Sequence, residues 1–204
     1  MPITQNGSAA SGDSGGSIVT SITFSATVNA GSNKLMMCGA ALYSNSTQVV
    51  SGVTFNADAF TAVPSGAVEA ASGDRADLWY RLGPDEVTGN VVISLSSGAY
   101  LVGGVSCWDG VHQTTPLGTA GTASGNSTAP SVSGVVSATD EIVLDGLAGF
   151  PVAYPIATAD APQAELWDRQ SGTSKEFGAG SYKAGAASTT MSWTLTDVTD
   201  WALV

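Results

Sequence analysis

Residues 21–29, SITFSATVN, alternate without interruption. Ile22, Phe24, Ala26 and Val28 fall on one side of an extended chain, and Thr23, Ser25 and Thr27 on the other. A period of two over this length predicts a half-buried β-strand. NKLMMCGAALY, 33–43, is apolar at both parities, which predicts a central strand covered on both faces. QVVSGVTF and DAFTAV follow on either side of Asn56, as in a hairpin. RADLWYRL, 75–82, sends Ala76, Leu78, Tyr80 and Leu82 one way and Asp77, Trp79 and Arg81 the other. GPDE then reads as a turn, with Pro84 pre-setting φ. NVVISLS alternates again, and AYLVGGVSCW, 99–108, is a second long apolar strand. Its Gly103 and Gly104 allow close backbone approach or a bulge.

The second half has the same texture. STAPSVSGVV, DEIVLDGLAGF, QAELWDRQ, SKEFGAGSYKA, TTMSWTL and DWALV are strand candidates, and Trp193 is phased with the apolar face of its strand. Turn signals recur at the short, regular spacing of a sandwich or barrel. No helix longer than about two turns is expected. ADLWYR at 76–81 echoes AELWDR at 164–169, each with a long apolar strand before it and an alternating strand after it. This predicts two related strand sets forming the two sheets of one sandwich. The expectation is an all-β, two-sheet antiparallel β-sandwich over residues 18–204, preceded by a Gly/Ser-rich flexible N-terminal arm, residues 1–17.

Composition narrows the function. The chain has 204 residues, enough to bury a core without disulfide staples. Only 11 % of residues are charged, and Ser and Thr solvate the surface where a helical protein would use Glu and Lys. The formal net charge is −11, with only six basic residues, which form no cluster in the sequence. That excludes the basic face a nucleic-acid partner needs, and a polybasic contact with a membrane. No apolar run reaches the length of a membrane helix, and the N-terminus lacks the features of a secretory signal, so synthesis in the cytoplasm is expected. Cys38 and Cys107 lie in apolar runs, without a second Cys at metal-ligand spacing. They read as buried thiols, with a disulfide between neighbouring strands as the alternative.

Candidate chemistry is sparse. LVGGVSCWDGVHQTTPLGT, 101–119, holds the only histidine, His112, shortly after Cys107, Trp108 and Asp109. WDG ends a strand, which makes His112 a solvated loop residue rather than the partner of a Cys107 nucleophile. The acidic pairs Asp74 with Asp77, Asp85 with Glu86, Asp140 with Glu141 and Asp197 with Asp200 sit at strand ends and turns. Capping explains them better than glycoside hydrolysis. No catalytic residue and no cofactor are expected. Calcium, held by carboxylate and carbonyl oxygens of Asp-bearing loops, is the metal chemistry left open, without an EF-hand spacing to support it. Trp79 and Trp167 are phased with charged neighbours. With Tyr80 and Trp108 they are the candidate interface or ligand-stacking residues.

The motif order ADLWYRL, NVVISLS, YLVGGVSCWDGVHQTTPLGT, DEIVLDGLA, AELWD, AGAASTTMSWTL and DWALV resembles a family of jelly-roll-like β-sandwich domains. Members occur in tailed-phage virion structural proteins and in bacterial surface proteins. The resemblance covers about residues 18–204. It implies a non-enzymatic virion structural protein of a bacteriophage, acting by subunit contacts as a capsid decoration protein. The partners implied are other copies of the chain, as a homo-oligomer with a trimer as first guess, and the major capsid or another virion protein. The location implied is the virion. The alternative is a glycan- or receptor-binding module of a tail fibre or surface protein, with the four aromatic residues as its platform.

Overall fold

The structure is a computed structural model that describes residues 2–43, 47–150 and 157–204. The described residues form eighteen strands and no helix. Ten belong to the first half of the chain: β1 (Thr4–Gln5), β2 (Ala10–Asp13), β3 (Val19–Thr27), β4 (Leu35–Tyr43), β5 (Val50–Phe55), β6 (Asp58–Ala59), β7 (Thr61–Glu69), β8 (Asp74–Leu82), β9 (Thr88–Ala99) and β10 (Leu101–Asp109). Eight follow a linker: β11 (Ala123–Ser127), β12 (Ser131–Val135), β13 (Ile142–Gly149), β14 (Ala157–Ala159), β15 (Ala164–Gln170), β16 (Phe177–Ala184), β17 (Thr189–Leu195) and β18 (Thr199–Leu203). Every pairing between them is antiparallel.

The all-β sandwich expected from the alternation is present, but in four sheets rather than two. An outer sheet, β3-β9-β5-β6, covers an inner sheet, β10-β4-β8-β7, with β1 and β2 end to end along the free edge of β10. The second half repeats the plan: an inner sheet, β11-β18-β13-β16-β15, is covered by an outer sheet, β12-β17-β14. Strand for strand, β2-β10-β4-β8-β7 matches β11-β18-β13-β16-β15, and β3-β9-β5 matches β12-β17-β14. The chain is thus a tandem of two sandwiches of one topology. LMMCGAALY of β4 corresponds to IVLDGLAGF at 142–150, glycine on glycine at Gly39 and Gly146. The ADLWYR/AELWDR echo does not follow this correspondence: ADLWYR lies in β8, whereas AELWDR lies in β15, the counterpart of β7.

The two inner sheets pack face to face, so each is buried on both sides. The parity of β4 shows this directly. Met36, Cys38, Ala40 and Leu42 join Ile22, Phe55 and Ile93 in the core of the first sandwich. Leu35, Met37 and Ala41 join Leu78, Val102, Trp108, Ala148 and Trp167 in a core at the seam between the sandwiches. Phe177, Trp193 and Leu203 anchor the third core, inside the second sandwich. At about 1.5–3 kcal/mol for each large apolar side chain fully buried, the seam is a major contributor to stability.

The N-terminal segment is not a free arm. Asp13, Gly12, Ser11 and Ala10 pair with Val102 to Val105, and Asn6 binds Asn29 and Asp109 through its side chain. It also ties the halves together. Asp13 pairs with Arg169 at 3.0 Å, and the Ser14 and Ser171 hydroxyls meet at 2.6 Å. Backbone hydrogen bonds hold this segment, and they leave no side-chain periodicity to read.

Candidate functional site

Trp167 occupies the middle of the seam and is 8 % exposed. Its ring lies in a slot of glycines: a Cβ at Gly104 would stand 2.2 Å from ring Cδ2, one at Gly180 2.5 Å from Nε1, and one at Gly39 3.0 Å from Cζ2. Gly39 and Gly104 belong to the inner sheet of the first sandwich, Gly180 to that of the second, so the indole keys the two together. Trp108 is 1 % exposed in the same core, stacks edge-on against Tyr182 and donates from Nε1 to the Ser106 hydroxyl at 2.9 Å. Trp167 is enclosed by the two inner sheets, and Trp108 reaches the edge of the cavity under the linker. Of the other two aromatic candidates, Trp79 is partly buried against the first core and Tyr80 against the seam. Trp167, Trp108 and Tyr80 thus share the seam core, whereas Trp79 lies on the other side of β8 against the first core.

His112 is exposed, and its Nδ1 is engaged by the backbone N–H and hydroxyl of Thr115 and the hydroxyl of Thr114. It is a loop residue, as its flanking turn predicts. Cys107 faces the first core with Cys38, both as free thiols. Burial raises Cys107 to about 11 and Cys38 further still, so neither is a thiolate nucleophile at neutral pH. The sequence-adjacent carboxylates also resolve into local contacts. Asp77 pairs with Arg75 at 2.7 Å, Glu86 with Lys34 at 2.5 Å, Glu141 accepts from the Ala138 N–H, and Asp200 accepts from Asn126. No group of three or more His, Cys, Asp or Glu among the described residues is placed to hold a metal ion.

The buried acids are others. Asp145 interrupts the apolar run of β13 and lies between the sheets of the second sandwich. Its Oδ1 accepts from the Ser181 N–H at 2.7 Å and hydroxyl at 2.8 Å, and its Oδ2 from Trp193 Nε1 at 2.8 Å. Burial lifts its pKa to about 6, against the pull of those hydrogen bonds. Asp74 of the first sandwich and Glu176 of the second form a second buried group, wholly enclosed. The Ser72 hydroxyl donates to Asp74, and among the described residues Asp74 Oδ1 and both Glu176 oxygens find no donor beyond the two carboxyls themselves. Burial, reinforced by the Asp74 charge, raises Glu176 well above the usual carboxyl range, so Glu176 keeps its proton. Burial also lifts Asp74 to about 6. Asp145 has a sequence signal, a lone acid inside VLDGLAG. The Asp74–Glu176 pair has none, because the residues come from different halves of the chain.

A cavity of about 420 Å³ opens under the linker at residues 111–121. Leu35, Met37 and Trp108 line it from the first sandwich, and Ile142, Leu144 and Met191 from the second. No family model matches this chain, and no curated protein or solved structure matches it. Its geometry must carry the functional argument.

Proposed function

We propose that the protein is a non-enzymatic structural component of a bacteriophage virion, a capsid decoration protein that acts through subunit contacts. The observation that carries this reading is the seam. Two sandwiches keyed by Trp167 and strapped by residues 4–14 make one stiff block with fixed outer faces. A decoration protein works by presenting such faces rather than by moving.

The surface supports the same reading. Lys34, Arg75, Arg81 and Arg169 are consumed in ion pairs with Glu86, Asp77, Asp58 and Asp13. Lys183 donates to the Thr190 carbonyl, and Lys175 lies over the Tyr100 ring. The uncompensated charge facing solvent is therefore acidic, which favours solubility at high copy number. Val136 and Ile18 are strongly exposed, apolar points on that surface available for contact. In each half an early strand lies beside the last, β2 beside β10 and β11 beside β18, and the next beside the one before the last, β3 beside β9 and β12 beside β17, an order that supports a jelly-roll-like reading.

The test is co-sedimentation of the purified protein with assembled phage heads, with the oligomer measured by mass photometry. Binding at many copies per head, as a homo-oligomer, supports the reading. A monomer that stays in the supernatant would overturn it.

A further inference from the structure

We propose that β3 is the edge through which this protein binds a second copy of itself. Two β3 strands pair antiparallel about a two-fold axis at Phe24, and the outer sheets of two first sandwiches, four strands each, become one. The inference rests on the reading that copies of this chain bind one another, and not on their place in a virion.

Most sheet edges in this fold are blunted. β6 has two residues and β14 three. β7 loses its register between Ala62 and Ala67, where Pro64 lies and Ser65 takes a φ of 57°. β12 loses its register between Val132 and Val135, with Gly134 at a φ of 76°. β15 carries Glu165, Asp168 and Arg169. Short strands, bulges, proline and charge are the usual guards against a row of free N–H and C=O groups. β3 ends its sheet and runs nine residues, Val19–Thr27, without a proline or a charge. Its register shift lies at the start, between Val19 and Ser21, and residues 21–27 pair with β9 without a break.

The ladder to β9 fixes which groups face outward. In an antiparallel sheet, the residues that bond to a given neighbour recur every second position. The Val28 N–H donates to the Val87 carbonyl at 3.0 Å, and the Asn56 N–H to the Asn90 carbonyl at 2.9 Å. Asn90 thus bonds toward β5, which turns Val91 and Ile93 toward β3. In β3, Ile22, Phe24 and Ala26 then bond to β9. Ser21, Thr23, Ser25 and Thr27 direct their N–H and C=O groups out of the sheet. All four residues are exposed, and among the described residues no hydrogen bond reaches those groups.

The pattern selects the partner. Residues 21–27 read hydroxyl, apolar, hydroxyl, Phe24, hydroxyl, apolar, hydroxyl, the same in both directions. A two-fold contact places one surface against itself, so it favours a strand of this kind. Pairing about Phe24 sets Ser21 opposite Thr27 and Thr23 opposite Ser25, and every outward N–H and C=O of the four residues finds its complement. Phe24 is partly buried against the first core, and in the pair it meets its own copy at a non-hydrogen-bonded position, where facing side chains lie closest. Such aromatic pairs add to the stability of a sheet. Charge points the same way. The formal net charge is −11, yet β3, β5 and β9 hold no charged residue. Two copies meet along this sheet without setting their acidic groups against each other.

The test is sedimentation equilibrium of the 204-residue protein. The wild type is expected to dimerise with a Kd of about 100 µM or tighter, as small specific contacts do. Thr23→Lys/Ser25→Lys sets lysine opposite lysine twice and should weaken the dimer at least about tenfold. Thr23→Lys/Ser25→Glu sets lysine opposite glutamate at the same two places and should keep Kd within about threefold of the wild type. Net charge alone predicts the reverse for the first variant: two added lysines take −11 to −9 and lessen the repulsion between copies. Ser25→Pro removes one outward N–H and spares the bonds to β9, so it should fold, as circular dichroism will show, and should lose the dimer. The two lysine variants decide the matter should that proline prevent folding. A wild type that is monomeric at about 1 mM would overturn the proposal. Equal weakening by both lysine variants would overturn it too, because the register would then play no part. An oligomer that no variant moves overturns the β3 contact and leaves the virion reading standing, whereas a β3 dimer that ignores phage heads upholds the contact and counts against the virion reading alone.

Discussion

Gly104→Ala isolates the keying of the seam in one methyl group. The added Cβ would stand 2.2, 2.4 and 2.5 Å from Cδ2, Cε2 and Cγ of Trp167. Carbon atoms rest at roughly 3.5–4.0 Å. These are atoms of the ring body, so no rotation of a chain end relieves them. The indole has nowhere to retreat, because Gly180 and Gly39 already approach it from other sides. The inner sheets must separate, or Trp167 must leave its slot. Overpacking a core costs about 1–3 kcal/mol when neighbours can adjust, and a trapped ring puts this site at about 3 kcal/mol or above. For a chain of this size that is a fall in Tm of about 6–12 °C. Gly52→Ala is the control, since nothing stands within 4 Å of its Cβ position. Its expected change is within about 0.5 kcal/mol. The assay is urea unfolding by circular dichroism, reading Cm at constant m. In Gly104→Ala/Trp167→Ala the two losses should fail to add, since each empties or fills the same slot. Trp167→Ala alone should cost about 3–5 kcal/mol. A Gly104→Ala protein as stable as Gly52→Ala would refute the slot.

Stability should depend on pH in an unusual direction. Asp145 has a native pKa of about 6 against an ordinary value of 3.8, so between these values the folded state binds more protons than the unfolded one. Its contribution therefore falls as pH rises from about 4 to about 6, by about 3 kcal/mol in all, and stays low above that. Asp74 acts in the same sense. Thermal melts should show a lower Tm at about pH 7.5 than at about pH 4.5, and the opposite order would contradict this assignment. Glu176→Gln should raise Tm at the higher pH and change it far less at the lower, because a neutral amide has no proton to hold and can donate to Asp74. A lower Tm at both pH values would count against the buried pair. Cys38 and Cys107 should resist a thiol reagent such as DTNB in the native protein and react together on unfolding in urea. Fast native reaction would place them outside the core.

The readable parts of the fold were those written in side chains. The apolar character of β4 at both parities announced layers on each side, and the prediction of covered faces holds there. Asn56 and Ala57, both in the left-handed region, make the tight turn expected between β5 and β6. Other parts lie in relations that a linear pattern does not carry. Trp167 shares its parity with Glu165 and Arg169, and simple alternation turns it outward with them. A register shift between Glu165 and Trp167 breaks that alternation and leaves the indole facing the seam. ASGNS of β11 is polar throughout and pairs through its backbone, as the N-terminal strands do. The duplication emerges from the strand order, which sets LMMCGAALY against IVLDGLAGF. The stronger-looking LWYR/LWDR echo joined strands that are not counterparts. The carboxyl pair Asp74–Glu176 exists only after folding brings distant segments together.

Native-state hydrogen exchange in low urea tests the central claim, that the two sandwiches are one cooperative block joined through the seam. Amides in β4 and β10, and those of Gly146 to Ala148 in β13, should exchange only by global unfolding, with one free energy and one urea dependence across both halves. Two separate free energies, with β13 and β16 opening while β4 and β10 stay protected, would contradict it.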